Sequence, residues 1–251
     1  MYENVRGVAE LLTQEIGQAG LVSLPASTLS AAVPSSALAQ TVNVSSTVSM
    51  YVGEQVLVDA GPNEELVNVT AVTATTIKGI FGNTHPAGAP ITAMGVYARG
   101  IVPPATADGS TANVLNIFGD INADGSLVYV RYTCTPGTSA APGTLTRSIT
   151  TITPGVNTIA AAQTLLSTVI GGAGAACFQY TTTAANGSTF VTNVGFTLSV
   201  QATRPDPATQ QYSQMTKSFL NLAPRNLMAG LEQAQNNGTR LQAAPANVTA
   251  Y

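Results

Sequence analysis

The first twenty residues constrain this chain most, because they carry its one long amphipathic helix pattern with charged residues. Apolar residues recur there every three or four positions, as Val5, Val8, Ala9, Leu11, Leu12, Ile16 and Ala19. The charged residues fall largely on the other faces, as Glu3, Arg6, Glu10 and Glu15. The pattern predicts a helix that stops at Gly20 and buries a face formed by Val5, Leu12 and Ile16 against another part of the protein.

The rest of the chain is predicted to be mostly β-structure. Of the 251 residues, 45% are apolar and only 8% are charged, and runs rich in Val, Ile, Thr and Tyr alternate with polar residues. The net charge is −3, and the nine Lys and Arg residues are scattered, so no basic patch favours nucleic acid or an anionic membrane. We therefore expect an α+β, mostly β fold without a nucleic-acid partner.

The chain divides into five predicted segments. Residues 1–20 form the helix, and residues 21–40, rich in Ser, Ala and Pro, form a surface linker. Residues 41–97 carry short strand-like runs between turn signals, which predicts a small β barrel or sandwich inserted into the chain. Residues 98–230 form a larger β head, and residues 231–251, rich in Gln, Asn and Ala, form a flexible tail.

Within the predicted head, most segments read as strands. These are residues 114–118, 127–134, 143–148, 176–182, 190–202 and 212–222. Residues 156–170 differ, because their Ala-rich middle favours a short helix. The pair Gly171 and Gly172 would end it.

Two cysteines, Cys134 and Cys177, are too few for a disulfide scaffold or a four-cysteine zinc site. Each lies beside a strand-like segment that carries aromatic residues, so neighbouring strands could bring the two together. A disulfide would imply an oxidising, extracytoplasmic compartment. The alternative is a pair of buried free thiols.

The segment from Asp120 to Gly125 resembles the first half of a calcium-binding loop. Oxygen-bearing side chains alternate at Asp120, Asn122 and Asp124, and a glycine follows. The twelfth position is Arg131, where an EF-hand needs a bidentate Glu, so the segment is not an EF-hand. We expect a tight turn between two strands, with a partial calcium site as the alternative.

The other polar residues predict no catalytic centre. His85 is the only histidine, and no Cys, Asp or Glu lies near it at metal-ligand spacing, so we expect a loop residue. The carboxylates of the 41–97 segment could in principle form a glycosidase-type pair, but we expect them to serve solubility; they are Glu54, Asp59, Glu64 and Glu65. No nucleophile elbow or phosphate-binding loop occurs, so the sequence favours a protein that is not an enzyme and has no cofactor.

The order of these features resembles the minor-pilin and pseudopilin branch of the type IV pilin family. In the helix, the residues that carry the resemblance are Asn4, Arg6, Glu15, Ile16, Ala19 and Gly20, as in the distal half of a pilin spine helix. In the head, W-type minor pilins and J-type pseudopilins share a similar series of short pieces. Here these are residues 117–125, 130–132 and 145–147, then Val169 with Phe178 and Tyr180, then residues 223–226.

The resemblance implies a structural role outside the cytoplasm, at the cell surface, in a pilus or in the periplasm. In this family the spine helices bundle in the filament core, and the heads make lateral contacts with other pilin or pseudopilin subunits. The resemblance further implies that a leader and the hydrophobic half of the spine helix precede residue 1. Contact with a membrane would then run only through that N-terminal segment. We expect a minor pilin with an initiation or tip role.

Two other functions stay open at this point. A J-type pseudopilin of a type II secretion system would differ in the machine that it serves rather than in its chemistry. An extracellular adhesin or carbohydrate-binding β module would need an exposed aromatic platform. The chain has no Trp, and its Tyr and Phe residues lie mainly within strand patterns.

Overall fold

A computed structural model describes residues 2–152, 158–171, 175–238, 240–245 and 248. The chain begins with helix α1 (Tyr2–Gln18), which ends two residues before Gly20. Gly20 has a φ of 78°, and a side chain there would collide with Leu227 and the carbonyl of Tyr97. Glycine therefore both ends the helix and allows the chain to pass closely over its neighbours. In the described part of the chain, no helix has the length and apolar character needed to cross a bilayer.

A small β unit follows α1. Its strands are β1 (Ser27–Thr28), β2 (Gln40–Asn43), β3 (Gln55–Val58), β4 (Glu65–Asn68), β5 (Ala71–Val72), β6 (Thr76–Gly79) and β7 (Pro90–Ala93). One antiparallel sheet has the order β1-β7-β3-β4, and a second has the order β2-β6-β5. The short strand β8 (Val96–Tyr97) then leads to the head.

The small β unit has an apolar core of its own. It is formed by Leu29, Val33, Val42, Val44, Met50, Val56, Val58, Val67, Val69, Ile77, Phe81, Ala89 and Ile91. The prediction that residues 21–40 are a surface linker is therefore wrong for residues 27–33. β1 pairs with β7, and both Leu29 and Val33 are buried, because these side chains complete the core of the unit.

The head is built on a seven-stranded antiparallel sheet. Its strands are β9 (Val114–Gly119), β10 (Val128–Thr135), β11 (Gly143–Thr151), β12 (Gln163–Ile170), β13 (Phe178–Ala185), β14 (Ser188–Gln201) and β15 (Gln214–Leu222). Strands β9, β10, β11, β12 and β14 lie side by side in that order, and β13 and β15 also pair with β14. The predicted mostly β fold with an N-terminal helix is confirmed, and the predicted strands lie within a few residues of the observed ones.

The main core lies between α1 and this sheet. On the helix side it contains Val5, Val8, Ala9, Leu12, Ile16 and Ala19. The sheet contributes inward-facing side chains, for example Val128, Val130 and Tyr132 on β10. The helix thus covers one face of the sheet, which gives each element a place to bury its apolar side.

The helix predicted over residues 156–170 is wrong. Residues 163–170 form β12, whose register places Leu166 opposite Leu145 of β11. Residues 153–157 lie outside the described part, and residues 158–162 have no regular structure. Pairing with β11 and β14 outweighs the weak helix propensity of the alanines, since propensity differences are fractions of a kcal/mol per residue.

The flexible tail predicted over residues 231–251 is also wrong for most of its described residues. Helix α2 (Arg225–Gln235) buries Leu227, Gly230, Leu231 and Ala234. A further strand, β16 (Leu241–Gln242), pairs in parallel with β8. The apolar positions of α2 recur at helical spacing, and the polar composition of the segment conceals this pattern.

Candidate functional site

We take the interface between α1 and the head as the candidate site, because the predicted filament role depends on this helix. Val5 is 1% exposed, and Leu12 and Ile16 are 0% exposed. All three side chains lie in the main core with residues of the sheet. The opposite face of α1 exposes polar residues, including Glu3, Arg6, Glu10 and Gln14.

A buried charged residue fixes α1 on the sheet. Glu15 is 3% exposed, and its Oε2 accepts a hydrogen bond of 2.5 Å from the hydroxyl of Tyr132 on β10. Arg147 on β11 donates to Oε2 through Nε at 3.2 Å and to Oε1 through Nη2. The carboxylate is thus paired with a cation and fully hydrogen-bonded, which is the condition for burying it.

The surroundings keep the Tyr132 hydroxyl and the Arg147 guanidinium protonated. Burial raises the pKa of the Tyr132 hydroxyl, and the nearby Glu15 carboxylate raises it further, so the tyrosine remains a donor. Burial lowers the pKa of Arg147, but the hydrogen bond and charge of Glu15 outweigh this and raise it. The sequence pattern had placed Glu15 among the polar residues of the helix. No local signal marks it as buried, because its partners come from distant strands.

The C-terminal end of α1 has a second anchor. Asn226, at the start of α2, donates through Nδ2 to the carbonyl of Gln18 at 3.1 Å. The N–H of Gly20 donates to the carbonyl of Phe118 on β9 at 2.9 Å. Carbonyl groups at a helix end lack partners within the helix, and Asn226 satisfies one of them. Arg147 and Asn226 both belong to the pieces that carry the sequence resemblance.

The predicted disulfide between Cys134 and Cys177 is confirmed. The two Cα atoms are 6.4 Å apart, and the bridge closes a sequence separation of 43 residues. It ties the end of β10 to the residue that precedes β13. The alternative of two free thiols is excluded, since the chain has no other cysteine and both sulfurs are bonded. A disulfide indicates an oxidising compartment outside the cytoplasm.

The Asp120 segment is the tight turn that we favoured. Asp120 is fully buried, and its carboxylate accepts hydrogen bonds from the N–H of Asp124 at 3.0 Å, from the N–H of Gly125 at 2.9 Å and from the hydroxyl of Ser23. Asn122 and Asp124 are exposed. The Asp120 oxygens that a calcium ion would need are therefore engaged with the turn itself.

His85 is not the isolated loop residue that the sequence predicts. Its ring is fully buried in the small β unit, with Nδ1 3.1 Å from Oδ2 of Asp59 and Nε2 2.6 Å from Oε1 of Glu65. The Glu65 carboxylate also accepts the N–H groups of Gly82 and Asn83. The three side chains are distant in sequence, so spacing could not reveal them. They join the loop before β7 to the ends of β3 and β4.

The acidic residues of the small β unit do not form a glycosidase-type pair. Asp59 and Glu65 share His85, whereas Glu64 is exposed and Glu54 is buried beside Tyr51. The His85 hydrogen bond, with the N–H of Ala60, holds the pKa of Asp59 below its usual range. Among the described residues, no group of three His, Cys, Asp or Glu side chains is arranged to hold a metal ion.

The described aromatic side chains do not form a sugar-binding platform. Tyr212 is 40% exposed, whereas the other Tyr and Phe side chains for which burial is described are buried or half-buried. Most of them lie in the apolar cores. Stacking on a sugar needs a flat exposed ring, and a single tyrosine in the hairpin between β14 and β15 provides little of this.

Comparison with known proteins finds no match to this chain among protein-family models, curated proteins or solved structures.

Proposed function

We propose that this chain is a structural, non-enzymatic subunit of an extracytoplasmic filament of the type IV pilus kind, with the role of a minor pilin. One observation carries the proposal. Two of the sequence pieces that resemble this family, residues 145–147 and 223–226, each supply a side chain that holds α1, namely Arg147 and Asn226. In a filament subunit, the helix has to transmit force to the head, and anchors of this kind serve that purpose.

The chemistry of the anchor supports the same role. A helix held only by apolar contacts can slide or rotate, whereas the paired charge of Glu15 has one favourable position. The disulfide at the end of β10 adds a covalent restraint within the same core. Helix, sheet and disulfide therefore form one mechanically continuous body. The polar face of α1 and the outer loops stay available for neighbouring subunits.

The proposal is tested in the organism of origin. Filaments are sheared from the cell surface and probed with an antibody against this chain, and surface filaments are counted in a strain that lacks the gene. We expect the chain in the sheared fraction and a loss of filaments in the deletion strain, restored by the wild-type gene. Absence from the filament fraction together with normal filament numbers would overturn the pilus assignment.

The same strain separates the pseudopilin role from the pilus role. A type II pseudopilin should leave the pili intact, while exported proteins accumulate in the periplasm. A complementing gene with Glu15→Gln tests the anchor directly. We expect the variant protein to be exported but to restore few filaments. Glu10→Gln is the matched control, since Glu10 is exposed on the same helix and forms a surface ion pair with Arg6.

A further inference from the structure

The C-terminal segment joins the small β unit to the head. The side-chain amide of Gln242 on β16 makes this connection through both its oxygen and its nitrogen. Its Oε1 accepts the N–H of Gln55 at 2.9 Å, and its Nε2 donates to the carbonyls of Gln55 at 2.5 Å and Met94 at 2.6 Å. Gln55 belongs to the small unit, and Met94 lies between β7 and β8. We call residues 240–245 the strap.

A tyrosine of the small unit adds a second attachment. The hydroxyl of Tyr51 donates to the carbonyl of Ala243 at 2.6 Å. Its ring lies 6.2 Å from that of Tyr97 on β8, which in turn lies 4.5 Å from that of Phe118 on β9. The cluster at this junction comprises Tyr51, Tyr97, Val102, Phe118, Leu127, Tyr129 and Val248. The strap therefore closes over an apolar contact between the two bodies.

One carboxyl group is enclosed at this junction. Glu54 is 0% exposed; its Oε2 accepts the N–H of Tyr51 at 3.3 Å, and its Oε1 has no hydrogen-bond partner among the described residues. The side chain of Tyr97 is also fully buried. The titratable groups that face Glu54 are Tyr51 and Tyr97, and burial raises the pKa of both hydroxyls.

Among the described residues, no cation pairs with the Glu54 carboxyl. Burial raises the pKa of the Glu54 carboxyl to about 8, although the Tyr51 N–H partly offsets the effect. At neutral pH the folded protein therefore holds Glu54 protonated. Ionisation would leave a buried charge with a single weak hydrogen bond, which the protein can relieve by admitting water between the strap and the small unit.

We propose that Glu54 is a pH-operated release for the strap: the neutral carboxyl seals the junction, and its ionised form detaches residues 240–245 from the small β unit. The direction follows from linkage. The carboxyl is harder to ionise in the closed form than in an open, hydrated one, so the open form binds fewer protons and gains population as the pH rises. The inference does not depend on the proposed filament role.

The strap contains its own reporter, because trypsin can cleave after Arg240. The carbonyl of Arg240 accepts the N–H of Val96, and Leu241 pairs with β8. We therefore expect the peptide bond between Arg240 and Leu241 to resist cleavage while the strap is closed. The full chain is digested between pH 7 and pH 9, and the cleavage rate at Arg240 is divided by that of Glu54→Gln at the same pH. We expect this ratio to rise by up to about tenfold, as the ionised fraction of a group with a pKa near 8 does over this range.

Three controls make the outcome decisive. Cleavage at Arg147, which lies within β11 of the seven-stranded sheet, reports global unfolding and should stay unchanged. Glu64→Gln removes an exposed carboxylate of the same small β unit and should behave as wild type. Gln242→Ala should raise cleavage at Arg240 at every pH, and it tests the strap even if Glu54→Gln fails to fold. A constant ratio from pH 7 to pH 9, or normal protection in Gln242→Ala, overturns the proposal.

Discussion

Glu15 of α1 and Arg147 of β11 form an ion pair inside the main core across 132 residues of sequence. Tyr132 of β10 also donates a hydrogen bond to Glu15. The Glu15 carboxylate, the buried one of α1, therefore contacts both β10 and β11. Apolar packing supplies most of the helix attachment, and this pair sets where along the sheet the helix lies.

Glu15→Ala should lower the free energy of unfolding by about 3 kcal/mol, because it leaves the Arg147 charge and the Tyr132 hydroxyl without their partner. Arg147→Met should cost a similar amount, and the double variant should cost less than the sum. Chemical denaturation of the four proteins in a double-mutant cycle measures the coupling. The surface variant Glu10→Ala should cost under about 1 kcal/mol. Additive effects would show that the pair contributes nothing specific.

Leu12→Ala should destabilise the protein by roughly 2–5 kcal/mol, because the side chain is fully enclosed in the main core. Leu12→Asp should cost more, since it places an unpaired charge there. Gln14→Ala, on the exposed face of α1, should change stability little. Thermal and urea unfolding of the monomer measure all three. An unchanged melting temperature for Leu12→Asp would mean that this face binds other subunits rather than the head.

Replacement of both Cys134 and Cys177 by Ser should lower stability by about 4 kcal/mol, because the bridge restricts a loop of 43 residues in the unfolded chain. Mass spectrometry of the unreduced protein should identify the linked peptides. Reduction of the wild type should reproduce most of the loss. Two thiols that react with an alkylating agent in denaturant without reductant would contradict the bridge.

His85→Phe should raise the pKa of Asp59 toward its ordinary value, because the substitution removes the hydrogen bond between the imidazole ring and the Asp59 carboxylate. A carboxyl with a lowered pKa adds stability above its unfolded pKa of about 3.9, and this is lost as the pH falls through the folded value. The variant should therefore show a weaker acid destabilisation in this range. NMR titration checks the shift. Asp206, whose pKa is lowered by N–H groups of its own turn, should titrate unchanged.

Calcium should leave the melting temperature unchanged. The oxygens of Asp120 already accept the N–H groups of Asp124 and Gly125 and the hydroxyl of Ser23, and Oδ1 of Asp124 accepts the N–H of Ser126. A thermal melt with millimolar calcium is compared with one in chelator. A higher melting temperature in calcium than in chelator would show that the ion binds the native turn. The alternative of a partial calcium site would then be correct.

The amino-acid sequence by itself determined the elements whose signal is local. Helix α1 and its buried face follow from apolar residues at helical spacing, and most strands of the head follow from runs of β-branched and aromatic residues. The turn at Asp120 follows from the preference of Asp, Asn and Gly for such backbone. The disulfide was predictable because only one pairing exists and both cysteines adjoin strands.

Only the tertiary structure decided the features that depend on a distant partner. Glu15 looks like a surface residue until Arg147 and Tyr132 enclose it, and His85 looks isolated until Asp59 and Glu65 reach both ring nitrogens. Residues 163–170 become a strand because two neighbouring strands offer hydrogen bonds. In each case the deciding energy comes from contacts between segments far apart in sequence, which local propensity and spacing do not encode.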